Sequence, residues 1–323
     1  MRISLKRRTV IFIKKKSKLR DLLLSKLEKI ISVHWPISET SGDLRRFIAV
    51  NWLENLNFTQ GYALPEIEIF IPSARKDLIL IRQVIEKAIE NSANPVRQVS
   101  ICVPESDIEY FKEAIIHLKG VTIRILAEES MLSIKIIERI RAEFGSRSGW
   151  VIAEFLKIEY STRSQFAGVL VIDSDTIILR NRVWLSTDLK QSLFPVQEYH
   201  GEYFELLLGL GLPKSPWKFS FMSHYMLFQP EIYRDMYSLI AQMNPEELLW
   251  GILSKRREDS KSPFCVCYEA YALHLSSKFP ELVQIEKWSN VGFKRETFSL
   301  DFKANLEYLA RRKLDSVSLH AYL

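Results

Sequence analysis

The chain has 323 residues, enough for one large α/β domain or two small ones, with the 47% hydrophobic and 26% charged make-up of an ordinary globular protein. Its 11 glycines and 12 prolines exclude a fibrous or low-complexity chain, and no apolar run approaches the ~18 residues that a membrane-spanning helix needs. The net charge of +6 lies in the first 20 residues, which hold nine Lys/Arg and no Asp/Glu; without those nine the other 303 residues carry −3, so the body lacks the basic face of a nucleic-acid binder.

That basic arm is the first element. Its apolar stretch, Val10-Ile11-Phe12-Ile13, is shorter than the roughly 7–15 residues of a secretory h-region. Beyond it Leu19, Leu22, Leu23, Leu27, Ile30 and Ile31 recur at helical spacing until Pro36, with Lys26 and Lys29 off the stripe. Residues 1–60 therefore read as a basic arm and an amphipathic helix. Such a helix either packs its leucines on the domain or rests peripherally on an anionic membrane surface. The three cysteines, Cys102, Cys265 and Cys267, have neither a disulfide framework nor CxxC spacing, which fits a cytoplasmic location.

From residue 66 strand and helix patterns alternate. Residues 66–71, 99–103 and 121–126 read as strands, and 77–88, 107–118, 132–143 and 150–160 as helices. Gly168-Val169-Leu170-Val171-Ile172 is a continuous apolar run, as in a strand covered on both faces. Strands separated by helices imply right-handed crossovers and a parallel sheet. The second half reads differently, with short aromatic-rich strands such as 219–228, fewer helices and more loop.

The most informative residues follow the apolar run: Asp173-Ser174-Asp175-Thr176. Carboxylates at i and i+2 share a face if the strand conformation persists. They stand beyond the carboxyl end of a buried strand, where open α/β sheets bind ligands. Carboxylate oxygens suit Mg²⁺ or Mn²⁺, which bridge to diphosphate oxygens and turn the diphosphate into a good leaving group. With 11 Asp in the chain, about 0.4 Asp-x-Asp matches arise by chance, so position rather than spacing carries the reading. Two alternatives remain: a polar turn that caps the next element, and the Asp-x-Asp-x-Thr nucleophile motif of haloacid-dehalogenase-like phosphatases, with Asp173 attacking and Asp175 as acid/base. That phosphatase motif normally sits on a first strand, and the later aspartates here are isolated.

In motif order, residues 66–290 resemble the GT-A superfamily of glycosyltransferases, and within it a mainly bacterial family of predicted transferases. Four stretches carry the likeness: Ile71-Pro72-Ser73-Ala74-Arg75-Lys76-Asp77; Gly149-Trp150 with Glu154-Phe155-Leu156-Lys157; Asp173-Ser174-Asp175; and Phe221 through Phe228. Where many such enzymes carry Asn-Ala-Gly or Asn-Ser-Gly in the last stretch, this chain has Ser223-His224-Tyr225. The resemblance implies an α/β, GT-A-like (Rossmann-related) fold, with a mixed, mainly parallel sheet flanked by helices. It implies a nucleotide-diphosphate-sugar donor with its base and ribose at Ser73, Arg75 and Asp77, and phosphates near Lys157. Asp175 would be the direct metal ligand, with Asp173 on the ribose or the metal and Ser174 between them.

Other residues have two readings each. Glu198, Tyr199 and His200 form either an acceptor loop, with aromatic faces for sugar rings, or a polar surface turn. His224 is either a core histidine or a donor or metal contact. Glu269, at the start of a helix, is either the general base of an inverting transferase or a carboxylate favoured by the helix dipole. Trp288 walls the pocket or is simply buried.

The sequence thus predicts three segments: the basic arm and helix (1–60), a catalytic domain (61–295, with a donor half to about 185 and an acceptor half after it), and a C-terminal helical segment (296–323). The expected activity is sugar transfer from a nucleotide-diphosphate donor to a glycan or lipid-linked acceptor, assisted by Mn²⁺ or Mg²⁺. The phosphatase and a catalytically silent nucleotide- or glycan-binding protein are the alternatives.

Overall fold

The computed structural model describes residues 63–115, 120–196, 199–215, 218–256, 266–299, 302–312 and 314–321. The arm and helix expected over 1–60 lie outside these residues, as does Glu198. The first half runs β1 (Ile67–Pro72), α1 (Leu78–Glu90), β2 (Val96–Val103), α2 (Ile108–Ile115), β3 (Thr122–Ala127), α3 (Glu128–Met131), α4 (Ile134–Phe144), α5 (Ser148–Arg163) and β4 (Gly168–Ile172). The second half runs β5 (Thr176–Ile178), β6 (Gln191–Leu193), α6 (Gly201–Gly209), β7 (Tyr225–Phe228), α7 (Pro230–Ala241), α8 (Pro245–Lys255), α9 (Cys267–Lys278), β8 (Val283–Ile285), β9 (Asn290–Lys294), α10 (Arg295–Ser299), α11 (Phe302–Arg311) and β10 (Ser316–His320).

The fold is mixed α/β, with a five-stranded central sheet in the order β3-β2-β1-β4-β7. The first four strands are parallel, and β7 closes the β4 edge antiparallel. Strand alternation divides the core between the two faces. Val169, Val171, Met226 and Phe228 join Phe155 and Leu156 of α5 on one face. Leu170, Ile172, Tyr225 and Leu227 join Ile81 and Val84 of α1 on the other. A strand buried on both faces cannot alternate apolar with polar, which is why β4 is apolar throughout.

Two expectations are corrected. Among the described residues the second half is more helical than expected, with α6, α7 and α8 in addition to α9, the helix expected at Glu269. Pro230 and Pro245 open α7 and α8 at positions where a missing N–H costs nothing, and Asn244 caps α8 by accepting from Glu246 N. Of residues 219–228 only Tyr225–Phe228 is a strand, because His224 takes φ 64°, a left-handed conformation that ends the extended run.

The C-terminal segment is not helical throughout. After α11 the alternating Ser316-Val317-Ser318-Leu319-His320 forms β10, lying between β5 (antiparallel) and β9 (parallel) in a three-stranded sheet. Asp315 anchors its start: Oδ1 pairs with Arg182 Nη2 at 2.6 Å, and Oδ2 accepts from Ser289 N and Oγ, both at 2.7 Å. This small sheet brings the end of the chain alongside the residues that follow β4.

Candidate functional site

Beyond β4 the chain turns at once: Thr176 N donates to the Asp173 carbonyl at 3.0 Å, and Asp173 N donates to the His224 carbonyl at 2.9 Å. The strand conformation therefore does not persist through the motif, and the two carboxylates acquire different partners. Asp173 keeps the parity of Val169 and Val171 and faces the α5 side. Lys157 Nζ donates to its Oδ1 at 2.8 Å and Tyr268 Oη donates to the same oxygen at 3.1 Å. His224 Nδ1 lies 3.3 Å from its Oδ2.

Lys157 is 3% exposed, sits 3.5 Å from Glu154 and lies 4.4 Å over the Tyr268 ring. Burial is the largest single influence, raising the Asp173 carboxyl and lowering the Lys157 ammonium, but their mutual charge together with the smaller contributions of their other neighbours reverses it. Asp173 is held well below the usual carboxylate range, further aided by His224, and Lys157 well above the usual amine range. Burial, then the Asp173 charge, raises the Tyr268 phenol, so it remains a donor. Glu154 fixes this group from behind: its oxygens accept from Cys267 N and Sγ, each at 3.0 Å, which ties the start of α9 to α5 and sets Tyr268 in place.

Asp175 is served by the end of the chain. Its carbonyl accepts from Leu319 N at 2.8 Å, and its Oδ2 lies 3.1 Å from His320 Nδ1. The His224 ring is 5.8 Å from that of His320 and 6.3 Å from that of Trp288, so the two histidines bridge the separately held aspartates. Sequence reasoning missed His320. The period-two alternation that ends on it was the available signal.

The remaining predicted residues divide into three groups. Ser73, beyond β1, is buried with no partner for its hydroxyl, and the exposed Arg75 guanidinium stacks 3.6 Å over the Tyr110 ring. Both leave a surface beside the end of β1. Asp77 and Ser174 instead face each other: Ser174 Oγ donates to Asp77 Oδ2 at 2.7 Å, and Arg295 Nη2 to Asp77 Oδ1 at 2.6 Å. With both of its oxygens bonded and 4% exposure, Asp77 braces the turn after β4. Ser174 likewise points into the protein. Tyr199 stacks on Phe204 at 5.1 Å and His200 lies 4.8 Å from Tyr203 at the start of α6, contacts that stay within their own segment.

Glu269, the expected general base, is held inside the protein. It is 1% exposed, and its Oε1 accepts from Ser220 Oγ and, at 2.5 Å, from Phe221 N. It holds the 220–221 segment that leads to His224. Glu269→Ala should cost about 1–3 kcal/mol of stability, the penalty of leaving buried donors unsatisfied, while turnover per folded molecule survives. Loss of turnover at unchanged urea midpoint would restore the general-base role.

Carboxylate oxygen and imidazole nitrogen together suit Mn²⁺ and related cations, and Asp175 Oδ2 and His320 Nδ1 converge at 3.1 Å. Among the described residues no three His, Cys, Asp or Glu already surround one point. Asp175 and His320 would supply two ligands to a cation, whose other positions would be filled by water and diphosphate oxygens.

No family model matches the sequence, and no curated protein matches it. Solved structures similar to it include the following two. Mouse xyloside xylosyltransferase 1, in its apo form, is 10% identical with a TM-score of 0.47, over 79% of this chain and 98% of that one. The galactosyltransferase LgtC, in complex with donor and acceptor sugar analogs, is 12% identical with a TM-score of 0.41, over 79% of this chain and 87% of that one. Likeness at this level assigns no activity to the present chain. Among the described residues no helix is long and apolar enough to cross a membrane.

Proposed function

We propose that this chain is a GT-A-like glycosyltransferase that takes a sugar from a nucleotide-diphosphate donor, with a divalent cation, Mn²⁺ or Mg²⁺, seated by Asp175 and His320 and flanked by Asp173. The observation that carries the reading is the pairing of Asp175 Oδ2 with His320 Nδ1 beyond the carboxyl end of β4, beside a carboxylate that Lys157 keeps ionised. A bound cation would neutralise charge on the departing diphosphate. Asp173 and His224 form the adjoining wall, where the ionised carboxylate can accept a hydroxyl of the ribose or sugar. Ser73 and Arg75 at the end of β1 offer a hydroxyl and a guanidinium to the base. The acceptor, a glycan or a lipid-linked sugar, would approach from the α6 side, where Tyr199 is 40% exposed.

The phosphatase reading is less well supported. It needs Asp173 as a nucleophile, yet both Asp173 oxygens are engaged, by Lys157, Tyr268 and His224. Its acid/base, Asp175, is engaged by His320.

The test is a thermal-shift series with UDP, GDP, CMP, dTDP and ADP, each with and without Mn²⁺ or Mg²⁺. A ligand that binds only the folded state raises Tm by mass action, equivalent to about 2.7 kcal/mol at a hundred times its Kd. The expected result is a cation-dependent rise with one nucleotide. No rise with any of them at millimolar concentration would overturn the reading.

A further inference from the structure

The turn that carries Asp173 and Asp175 is tied to distant parts of the chain, and one side chain takes part in the ties on both sides. Arg295, the first residue of α10, has a side chain only 13% exposed. Its Nη2 donates to Asp77 Oδ1 at 2.6 Å, its Nη1 to the Lys76 carbonyl at 2.5 Å, and its Nε to the Leu319 carbonyl at 3.2 Å. Asp77 accepts from Ser174 Oγ, in the middle of the turn, with its other oxygen. Leu319 N in turn donates to the Asp175 carbonyl. A closed ring thus runs from Arg295 through Asp77, Ser174, Asp175 and Leu319 back to Arg295. Inside it, Asp175 Oδ2 faces His320 Nδ1 at 3.1 Å.

We propose that Arg295 is a positioning residue that sets the separation of the Asp175 carboxylate and the His320 imidazole, and through it the affinity of the site for a divalent cation. The inference rests on the cation-assisted reading given above. Asp315 anchors the start of β10, but His320 stands at its far end, where the Leu319 carbonyl is held by Arg295. A guanidinium can serve both elements because its Nε and two Nη donors lie in one fixed plane; an ammonium is a single flexible point of charge. Asp77 is the matching two-sided acceptor, which accounts for a buried carboxylate in a loop beside the site. Groups that orient metal ligands without touching the metal typically change affinity by roughly 10–100-fold when removed.

Mn²⁺ alone, titrated into the full chain and followed by the electron paramagnetic resonance signal of the free aquo ion, reads that affinity directly. Tm is measured in parallel in EDTA. Arg295→Met is expected to weaken Mn²⁺ binding by roughly 10–100-fold, and Asp77→Asn, which keeps one accepting oxygen, by less. Arg295→Lys, which can reach Asp77 but cannot also hold Leu319, should weaken it several-fold while restoring most of any lost Tm. If Arg295→Met lowers Tm yet binds Mn²⁺ as wild type does, Arg295 merely fastens α10 to the body and the proposal fails. Should Arg295→Met not fold, Arg295→Lys decides: wild-type Mn²⁺ affinity in that variant overturns the proposal. Wild-type protein that binds no Mn²⁺ sensitive to Asp175→Ala would instead overturn the cation reading beneath it.

Discussion

Asp175→Ala is expected to abolish the cation-dependent part of nucleotide binding and to lower donor turnover by more than about a hundredfold, because removing a direct ligand should exceed the 10–100-fold loss typical of its supports. His320→Ala should reproduce most of that loss, since its Nδ1 lies 3.1 Å from Asp175 Oδ2. The two substitutions should be far from additive, because each empties the same seat. His320→Asn is the more discriminating variant: it keeps a polar group of similar reach but offers a much poorer ligand. Turnover and the thermal shift with nucleotide, each measured with and without Mn²⁺, check these expectations. A His320→Ala protein with wild-type cation dependence would show that the imidazole only caps the Asp175 side chain.

Lys157→Met is expected to cause a large loss of stability. It would leave the buried Glu154 and the partly exposed Asp173, its side chain 28% exposed, without the ammonium that lies between them, which makes the buried-pair penalty an upper figure. Breaking a buried pair by removing one partner costs about 3–5 kcal/mol, because the remaining charge is uncompensated. In a protein of this size that corresponds to a fall in Tm on the order of 10 °C. The double variant Lys157→Met with Asp173→Asn should lose less than Lys157→Met alone, since the stranded charge is gone.

The pH dependence follows from the same pair. Asp173 is depressed below its ordinary value of 3.8, so the pair's contribution is present above that pH and is lost as pH falls through the lower folded value. Without Lys157 the acid-side loss should begin at a higher pH. Urea midpoints between pH 3 and 7 measure this, and parallel curves for wild type and variant would contradict it.

Much of the parallel sheet was legible in the sequence because its signals are local. β4 is apolar through five consecutive residues, and the aspartates follow it directly, so their place at the carboxyl end of the sheet needed no tertiary information. The same holds for Lys157, three residues after Glu154 on a helix that the pattern predicted. Aromatic content misled the reading of 219–228, since β-propensity cannot foresee a left-handed residue at 224. The Glu269 carboxylate was read from its position at a helix start, whereas its burial depends on the loop at 220–221. Asp77 and Ser174 were read singly as donor contacts, and nothing near either one announces a partner 97 residues away. The alternation ending on His320 signals a strand but not its partner, and Arg295 carries no local signal at all: their contacts with Asp175 and Asp77 span 145 and 218 residues.

That separation has a consequence for how the molecule matures. The strands β1 to β3 join neighbours close in sequence, and β4 joins β1 once residues 168–172 have emerged, but the imidazole beside Asp175 arrives only with the last strand described, 145 residues later. Contacts across such long loops are the slow ones in folding, and domains begin to assemble from the N-terminal side as they emerge. A chain stopped before Ser316 would retain every strand of the central sheet and the Asp173–Lys157 pair. It would lose β10, the middle strand of the small sheet, with the buried Val317 and Leu319, and with it the imidazole proposed to complete the cation seat, so on this reading competence is the last property acquired during assembly.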